Sequence, residues 1–476
     1  MMKKIQALLF RTGPILSARI IQLVFGFLVT FIVASWLPPT ELGVYYMATA
    51  ISIGCHFILL NSLHFPIQRL MPDERSRRRE YLSTVFLVSF FFLIATLALF
   101  SILKLEGAGG DFVILFLICI SFAFSETIFS QVTNVTSAKR QVVLYFFVVL
   151  MRSSVIFSLF LVFRPDGPSA DTAILFFVLG NLAASCCLLV VNHDDFSVKL
   201  FSWSVIKENF VFSRAYSVSN IFVQVISRGD RLLIGMMLGP IASGIYSVAS
   251  DLSRRTLQGI CVNSRLAFVR DAVEAYVEKD EKATEASIYN ILSSVLVVGV
   301  PAASVLSVFS ADIFQKILPE QIIDGSGLLW RIAPFVFLCE ALRSYSYSLP
   351  FELSKRTSLE TLVTATGCVI FLLLILPFVR FWGLEGAALA LAVTFNVMIV
   401  QSIILARVKV GIRVPVVVSY LSLTFACASA FVLGEGAWWW SGMPLVKLIG
   451  LAALYGIFML MCQASICYLL RPKGRI

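Results

Sequence analysis

Charge is scarce in this chain. Of its 476 residues only 14% are charged, while 59% are hydrophobic and the mean hydropathy is +0.90. That balance excludes a soluble globular protein, which could not hide so much apolar surface. Long polar stretches are also missing. The longest run Pro72–Glu80, His193–Glu208 and Arg270–Ala286, too short to fold as a catalytic domain. The last of them, over Asp271–Glu285, reads as a solvated surface helix of mixed charge. Histidine is rare: His56, His64 and His193 do not cluster along the chain. All ten cysteines fall in or at apolar runs without metal-ligand spacing, which is the habit of small hydrophobic filler. Neither a structural metal nor a cofactor is expected. The net charge of +10 comes without any basic soluble domain, so a nucleic-acid partner is excluded. A cleavable signal peptide is not expected either, because Met1-Met2-Lys3-Lys4 leads into an apolar run too long for one.

What the chain does have is apolar runs of membrane-crossing length. They read as about fourteen spans: 14–36, 43–63, 81–103, 112–134, 142–163, 172–191, 211–237, 241–262, 287–309, 326–349, 359–379, 384–406, 414–434 and 445–470. Lipid offers no partner to a free backbone group, so the spans must be helical. With the N-terminus inside, 24 Lys and Arg fall on cytoplasmic segments and only 4 (Lys104, Arg164, Lys316, Arg380) on external ones. This bias sets both termini in the cytoplasm. Trp438-Trp439-Trp440 suits an external interfacial belt.

One turn occurs twice. Leu37, Pro39, Gly43, Tyr45, Ala48 and Ser52 are matched, 201 positions on, by Leu238, Pro240, Gly244, Tyr246, Ala249 and Ser253. Ser137-Ala138-Lys139-Arg140 and Leu353-Ser354-Lys355-Arg356 form a weaker echo. The expected organisation is a parallel repeat: a six-helix lobe over 1–191, a cytoplasmic linker over 192–209, a second six-helix lobe over 210–410, and two further helices over 411–476 without a counterpart.

Ten basic residues remain inside spans: Arg19, Arg152, Arg214, Arg228, Arg231, Arg254, Arg255, Arg331, Arg343 and Lys447. A basic group at mid-bilayer costs roughly 2.5–3.5 kcal/mol on insertion scales, so such groups face a bundle interior or a wet cavity. Arg19, Arg214, Arg331 and Lys447 lie near span ends and can snorkel. Acids in the spans are fewer: Glu126, Asp230, Asp251 and Glu340. Asp251 precedes Arg254 and Arg255 by three and four residues, and Glu340 precedes Arg343 by three, spacings that place partners on one helical face. Arg152 has no acid nearby in its own span, and Arg228-Gly229-Asp230-Arg231 carries two bases for one acid. Guanidinium groups in excess inside a membrane suit an anion, phosphate above all. Arg152, Arg228, Arg231, Arg254, Arg255 and Arg343 are therefore the candidate anion ligands. Glu126, Asp230, Asp251 and Glu340 are candidates for ion coupling or charge pairing.

Ala34-Ser35-Trp36-Leu37-Pro38-Pro39-Thr40-Glu41-Leu42-Gly43, then Ser227-Arg228-Gly229-Asp230-Arg231-Leu232-Leu233-Ile234-Gly235 leading into the second copy of the turn, and Trp382-Gly383-Leu384-Glu385-Gly386-Ala387-Ala388-Leu389-Ala390 stand in a telling order. In these segments the chain resembles the Wzx-type flippases of the multidrug/oligosaccharidyl-lipid/polysaccharide (MOP) exporter superfamily. The resemblance implies an all-α polytopic membrane protein of MATE-like, V-shaped architecture with a central cationic cavity. It implies a polyprenyl-pyrophosphate-linked glycan as substrate, flipped across a bacterial plasma membrane, with membrane lipids, a polysaccharide polymerase and chain-length machinery as partners. Pro38 departs from the glycine frequent in that family, and fourteen spans exceed the twelve of many of its members.

Three other readings compete. A lipid II flippase of the same superfamily would use the same kind of headgroup site. A multidrug exporter would want an acidic cavity for cationic drugs, against the arginine excess. A membrane glycosyltransferase or polymerase would need a larger hydrophilic loop or an acidic catalytic cluster.

Overall fold

The computed structural model describes residues 21–470 except 72–73, 107–110, 140, 164–167, 193–195, 198–199, 320–321, 323–326, 416 and 436–442. Arg19, Arg140, His193 and the Trp438–Trp440 run, named above, lie outside the described residues. Two compact units divide the chain, Met1–Gly244 and Ile245–Ile476.

The first unit holds α1 (Ile21–Trp36), α2 (Pro39–Ile58), the short α3 (Asn61–His64) and α4 (Ile67–Leu70), α5 (Arg75–Glu106), α6 (Asp111–Ala138), α7 (Val142–Val162), α8 (Ala170–Val191) and α9 (Trp203–Leu238). It ends within the first residues of α10 (Pro240–Val277). α6 is its centre, packing against α2, α5, α7 and α8, while α9 lies along α2 and α3.

The repeated turn explains two helix starts. Pro39 opens α2 and Pro240 opens α10, at a position where a missing N–H costs no helical bond. Equivalent backbone bonds close both turns: Leu42 N–H to Pro38 O at 2.8 Å, and Ser243 N–H to Gly239 O at 3.3 Å. The two turns also meet. A Cβ on Gly43 would lie 1.8 Å from Pro240 O, and one on Gly244 would lie 3.0 Å from Gly43 N and 3.4 Å from Pro39 O.

The second unit continues α10 and adds α11 (Glu281–Gln315), α12 (Gly327–Leu342), a π-helical turn (Arg343–Tyr347), α13 (Leu349–Leu353), α14 (Thr357–Leu405), α15 (Val417–Glu435) and α16 (Leu445–Leu469). α11 is its centre, against α12, α15 and α16. Val308 and Phe309 of α11 pack there with Ala430, Leu448 and Ala452. Buried polar bonds add to this seam: Tyr289 Oη donates to Cys467 O at 2.5 Å, Gln463 Nε2 donates to Ser422 Oγ at 2.6 Å, and the Tyr347 and Ser419 hydroxyls bond at 2.7 Å. The two C-terminal helices are thus fastened into the second unit, although no repeat partner was legible for them.

No separate surface helix spans Asp271–Glu285. Residues to Val277 extend α10, Lys279 takes φ 60°, and Asp280 caps α11 by accepting from Ala283 N–H at 2.9 Å. An Asp three residues before a free helical N–H makes a better helix start than a continuation.

Seven of the described helices are long and apolar enough to cross a membrane, and Ile21–Trp36 is a shorter apolar helix. The expected fourteen is not reached by that measure. The 49 residues of α14 are two helices folded back on each other: Gln401 Nε2 donates to Thr366 Oγ1 at 3.2 Å, and Gly367 lies against Met398. Gly383 (φ 58°, ψ −132°) kinks it between the spans expected at 359–379 and 384–406. Hydroxyls inside spans bond their own helix, as Ser52 to Ala48 O (2.7 Å), Ser304 to Val300 O (2.9 Å) and Thr394 to Ala390 O (2.8 Å), which satisfies them without water.

Candidate functional site

In the first unit Arg152 is not alone. It points from α7 to α6, where its Nη2 donates to Glu126 Oε2 at 2.7 Å and its guanidinium lies 4.0 Å from the centroid of the Phe129 ring. Asn181 of α8 donates to the same carboxylate oxygen at 3.1 Å and to Ser125 Oγ at 3.0 Å. The acid comes from 26 residues away on a neighbouring helix, so a search along Arg152's own span misses it.

Beside this cluster His56 and His64 stack, ring centroids 4.3 Å apart and planes 15° from parallel. Both are buried. Separated by eight residues, they do not cluster along the sequence. The break between α2 and α3 folds one back onto the other. His56 Nδ1 lies 2.9 Å from Thr127 Oγ1 and its Nε2 3.3 Å from Ser130 Oγ.

Asp230 and Arg231 of α9 are both fully buried. The Asp230 carboxylate accepts from the Arg231 N–H at 2.8 Å, Ser243 Oγ donates to Arg231 O at 2.9 Å, and the Arg231 guanidinium stands 5.5 Å from the Tyr46 ring centroid. Arg228 is half-buried one helical turn away. Arg214 is exposed on the same helix.

In the second unit the pairing differs from the one expected. Glu340 bonds Arg254 of α10 (Nε to Oε2, 3.0 Å), not Arg343, and Arg254 lies 4.6 Å from the centroid of the Phe337 ring. Arg343, in the π-helical turn, donates instead to Glu360 Oε1 at 2.5 Å and Thr364 Oγ1 at 2.7 Å. The π-turn begins at Arg343, so the face geometry of a regular helix no longer applies between it and Glu340. Asp251 reaches Arg255 at 3.7 Å, and the Arg255 side chain is 45% exposed. Asp251 itself is buried. Arg265 donates to Glu352 at 2.6 Å and to Ser344 O at 3.2 Å, a carbonyl within the π-turn. Of the residues expected to snorkel, Lys447 is exposed and Arg331 half-buried.

Glu360, Thr364, Asn181 and the histidine pair are thus the members that reading along the chain did not bring out. Glu360 opens the eleventh span, and its acid was readable there. The others are neutral groups whose importance appears only when helices pack. Among the described residues no group of three or more His, Cys, Asp or Glu is assembled as a metal site. Chemically, these are guanidinium–carboxylate pairs over aromatic rings in an apolar surround. A carboxylate holds each of Arg152, Arg254 and Arg343.

The profile of the polysaccharide biosynthesis protein family matches residues 67–324, more than half of the chain. The chain belongs to that family. The matched stretch contains Glu126, Arg152, Asp230, Arg231, Asp251 and Arg254, whereas Glu340, Arg343 and Glu360 follow it. No curated protein sequence matches the chain. Among solved structures, a lipid II flippase MurJ in its inward closed conformation is similar with a TM-score of 0.69 at 13% identity, covering 95% of this chain and 98% of that one. An inward-facing multidrug resistance MATE family transporter of the MOP superfamily is similar with a TM-score of 0.56 at 13% identity, covering 84% and 94%. A MATE in the straight conformation gives 0.54 at 13% identity, covering 85% and 96%. This member of the polysaccharide biosynthesis family is therefore an all-helical, multi-pass membrane protein with the fold of the MOP exporters.

Proposed function

We propose that the protein flips a polyprenyl-pyrophosphate-linked oligosaccharide across a bacterial plasma membrane by alternating access, for cell-surface polysaccharide assembly. The observation that carries this is the Arg152–Glu126 pair: a guanidinium in the depth of a span of a polysaccharide-biosynthesis protein, held by one carboxylate it can exchange for phosphate. Hydrocarbon refuses a pyrophosphate and a glycan, while the polyprenyl chain stays in lipid. Arg152, Arg228 and Arg231 are the primary headgroup ligands, with Arg254, Arg255 and Arg343 serving later along the path. Asp230 positions the α9 arginines. Glu126, Asp251 and Glu340 neutralise arginines between cycles. Both termini lie in the cytoplasm, and the repeated lobes are 1–191 and 210–410, joined by the linker 192–209. Residues 411–476 add two helices outside the repeat.

The test is complementation of a strain lacking its own exporter of the corresponding glycan. Arg152→Ala and Arg228→Ala lower surface polysaccharide at least ten-fold while the protein stays at wild-type level in the membrane. Wild-type export by both variants rejects the reading.

A lipid II flippase is the second reading, favoured by the likeness to MurJ over 95% of the chain. Restored growth of a strain depleted of its lipid II flippase would replace the first reading with this one.

A further inference from the structure

The stacked histidines have a defined hydrogen-bond order. Thr127 Oγ1 spends its hydrogen on Ala123 O at 2.8 Å, so toward His56 it accepts, and His56 Nδ1 donates. His56 Nε2 then accepts from Ser130 Oγ–H. His56 is thereby satisfied on both nitrogens as a neutral ring. His64 Nδ1 faces Leu60 O at 3.2 Å, an oxygen that only accepts, so Nδ1 carries the hydrogen. The lone pair of neutral His64 is left on Nε2.

Two charged groups act on the pair from other helices: Arg152 of α7 on His56, and Glu126 of α6 on His64. On α2 itself Cys55 precedes His56. α9 brings Ser217 and Asn220, bonded to Asn61 Nδ2 at 3.2 Å and to Phe57 O at 3.3 Å. The other charged residues whose side chains are described on these helices are Glu41 of α2, Arg77, Arg78, Arg79 and Glu80 of α5, Asp171 of α8, and Lys207, Glu208, Arg214, Arg228, Asp230 and Arg231 of α9, with Lys139 just past the end of α6.

We infer that His64 is a proton-binding site, loaded from the aqueous medium when Arg152 releases Glu126. While Arg152 holds Glu126, a proton on either ring would add a second positive charge beside the guanidinium. When Arg152 turns to an anion, Glu126 keeps only the neutral donor Asn181 and its charge is left uncompensated, which is costly. A proton from water then forms an N–H bond at His64 Nε2 and restores neutrality beside Glu126. Binding of the anion and binding of the proton thus favour each other, and by linkage the help is mutual. The trigger rests on the headgroup role proposed for Arg152, but the proton site is tested without it.

The chain has only three histidines, so ¹⁵N-histidine labelling of the full-length protein in lipid nanodiscs gives three imidazoles to follow by NMR. His64→Gln and His193→Gln assign them. In the wild type neither His56 nor His64 gains a proton between pH 8 and pH 5. In Arg152→Gln, which leaves Glu126 without its partner, His64 titrates within that range and His56 does not. In the double variant Arg152→Gln/Glu126→Gln the titration is lost. Arg152→Met, whose apolar stem keeps the contact with Phe129, replaces Arg152→Gln if the latter does not fold. No proton uptake by His64 in either Arg152 variant overturns the inference, as does identical titration in wild type and variant. Undiminished export by Arg152→Ala would remove the headgroup reading and leave the NMR result standing.

Discussion

Gly43 and Gly244 occupy equivalent places in the two copies of one turn, and each is packed against the other copy. The Cβ that Gly43 lacks would fall 1.8 Å from Pro240 O, and the one Gly244 lacks would fall 3.0 Å from Gly43 N. The contact is reciprocal but unequal. Gly43→Ala drives a methyl into a backbone carbonyl, whereas Gly244→Ala needs a shift of a few tenths of an ångström. Overpacking of this kind costs about 1–3 kcal/mol and more where backbone must move. Gly43→Ala is therefore expected to reduce folded protein severely, and Gly244→Ala to lower the melting temperature by a few degrees. Fluorescence-detected size exclusion after heating ranks the two. Equal loss would show that the inequality carries no energy.

Arg254 and Glu340 are both buried and bonded to each other at 3.0 Å. Arg254→Met or Glu340→Gln alone leaves one uncompensated group and should cost about 3–5 kcal/mol. The double variant should recover much of that loss. A thermal double-mutant cycle reads this directly, and additive losses would mean that the pair does not couple.

The Tyr347–Ser419 bond joins the π-turn that carries Arg343 to the first C-terminal helix. Tyr347→Phe is expected to cost about 1 kcal/mol. It should also speed hydrogen exchange of the amides at Arg343–Ser348, measured by mass spectrometry. Unchanged exchange there would show that Ser419 does not hold the turn.

Gly383 sits at φ 58° and ψ −132°, where a side chain is strained. Gly383→Ala should cost about 1–3 kcal/mol and lower the melting temperature without altering the size of the purified particle. A rise in melting temperature would deny that the kink needs glycine.

Hydropathy made the all-helical, multi-span character readable, because lipid imposes a helix wherever about 20 apolar residues run together. The kink at Gly383 and the turn at Pro240 fall where composition placed them. Arg152, Arg254 and Arg343, singled out by charge, are half-buried or buried, each against a carboxylate. Their partners were not readable. Glu126, Glu340 and Glu360 lie 26, 86 and 17 residues from the arginines they hold, on other helices. Spacing rules see only one helix at a time, so they gave Glu340 to Arg343. The π-turn has no signature in composition that would have warned against that assignment. The His56–His64 stack depends on a chain reversal of two residues between α2 and α3, too short for periodicity to reveal.

The carboxylates beside Arg152 and Arg254 have an electrical consequence. At Arg152–Glu126 and Arg254–Glu340 the resting protein carries a dipole and no net charge. A transmembrane voltage exerts about 2.3 kcal/mol per elementary charge per 100 mV, and on these two sites it finds nothing to pull. A rearrangement that moves only these two pairs is therefore insensitive to the potential, whereas Arg228-Gly229-Asp230-Arg231 of α9, with two bases for one acid, keeps a charge on which the potential acts.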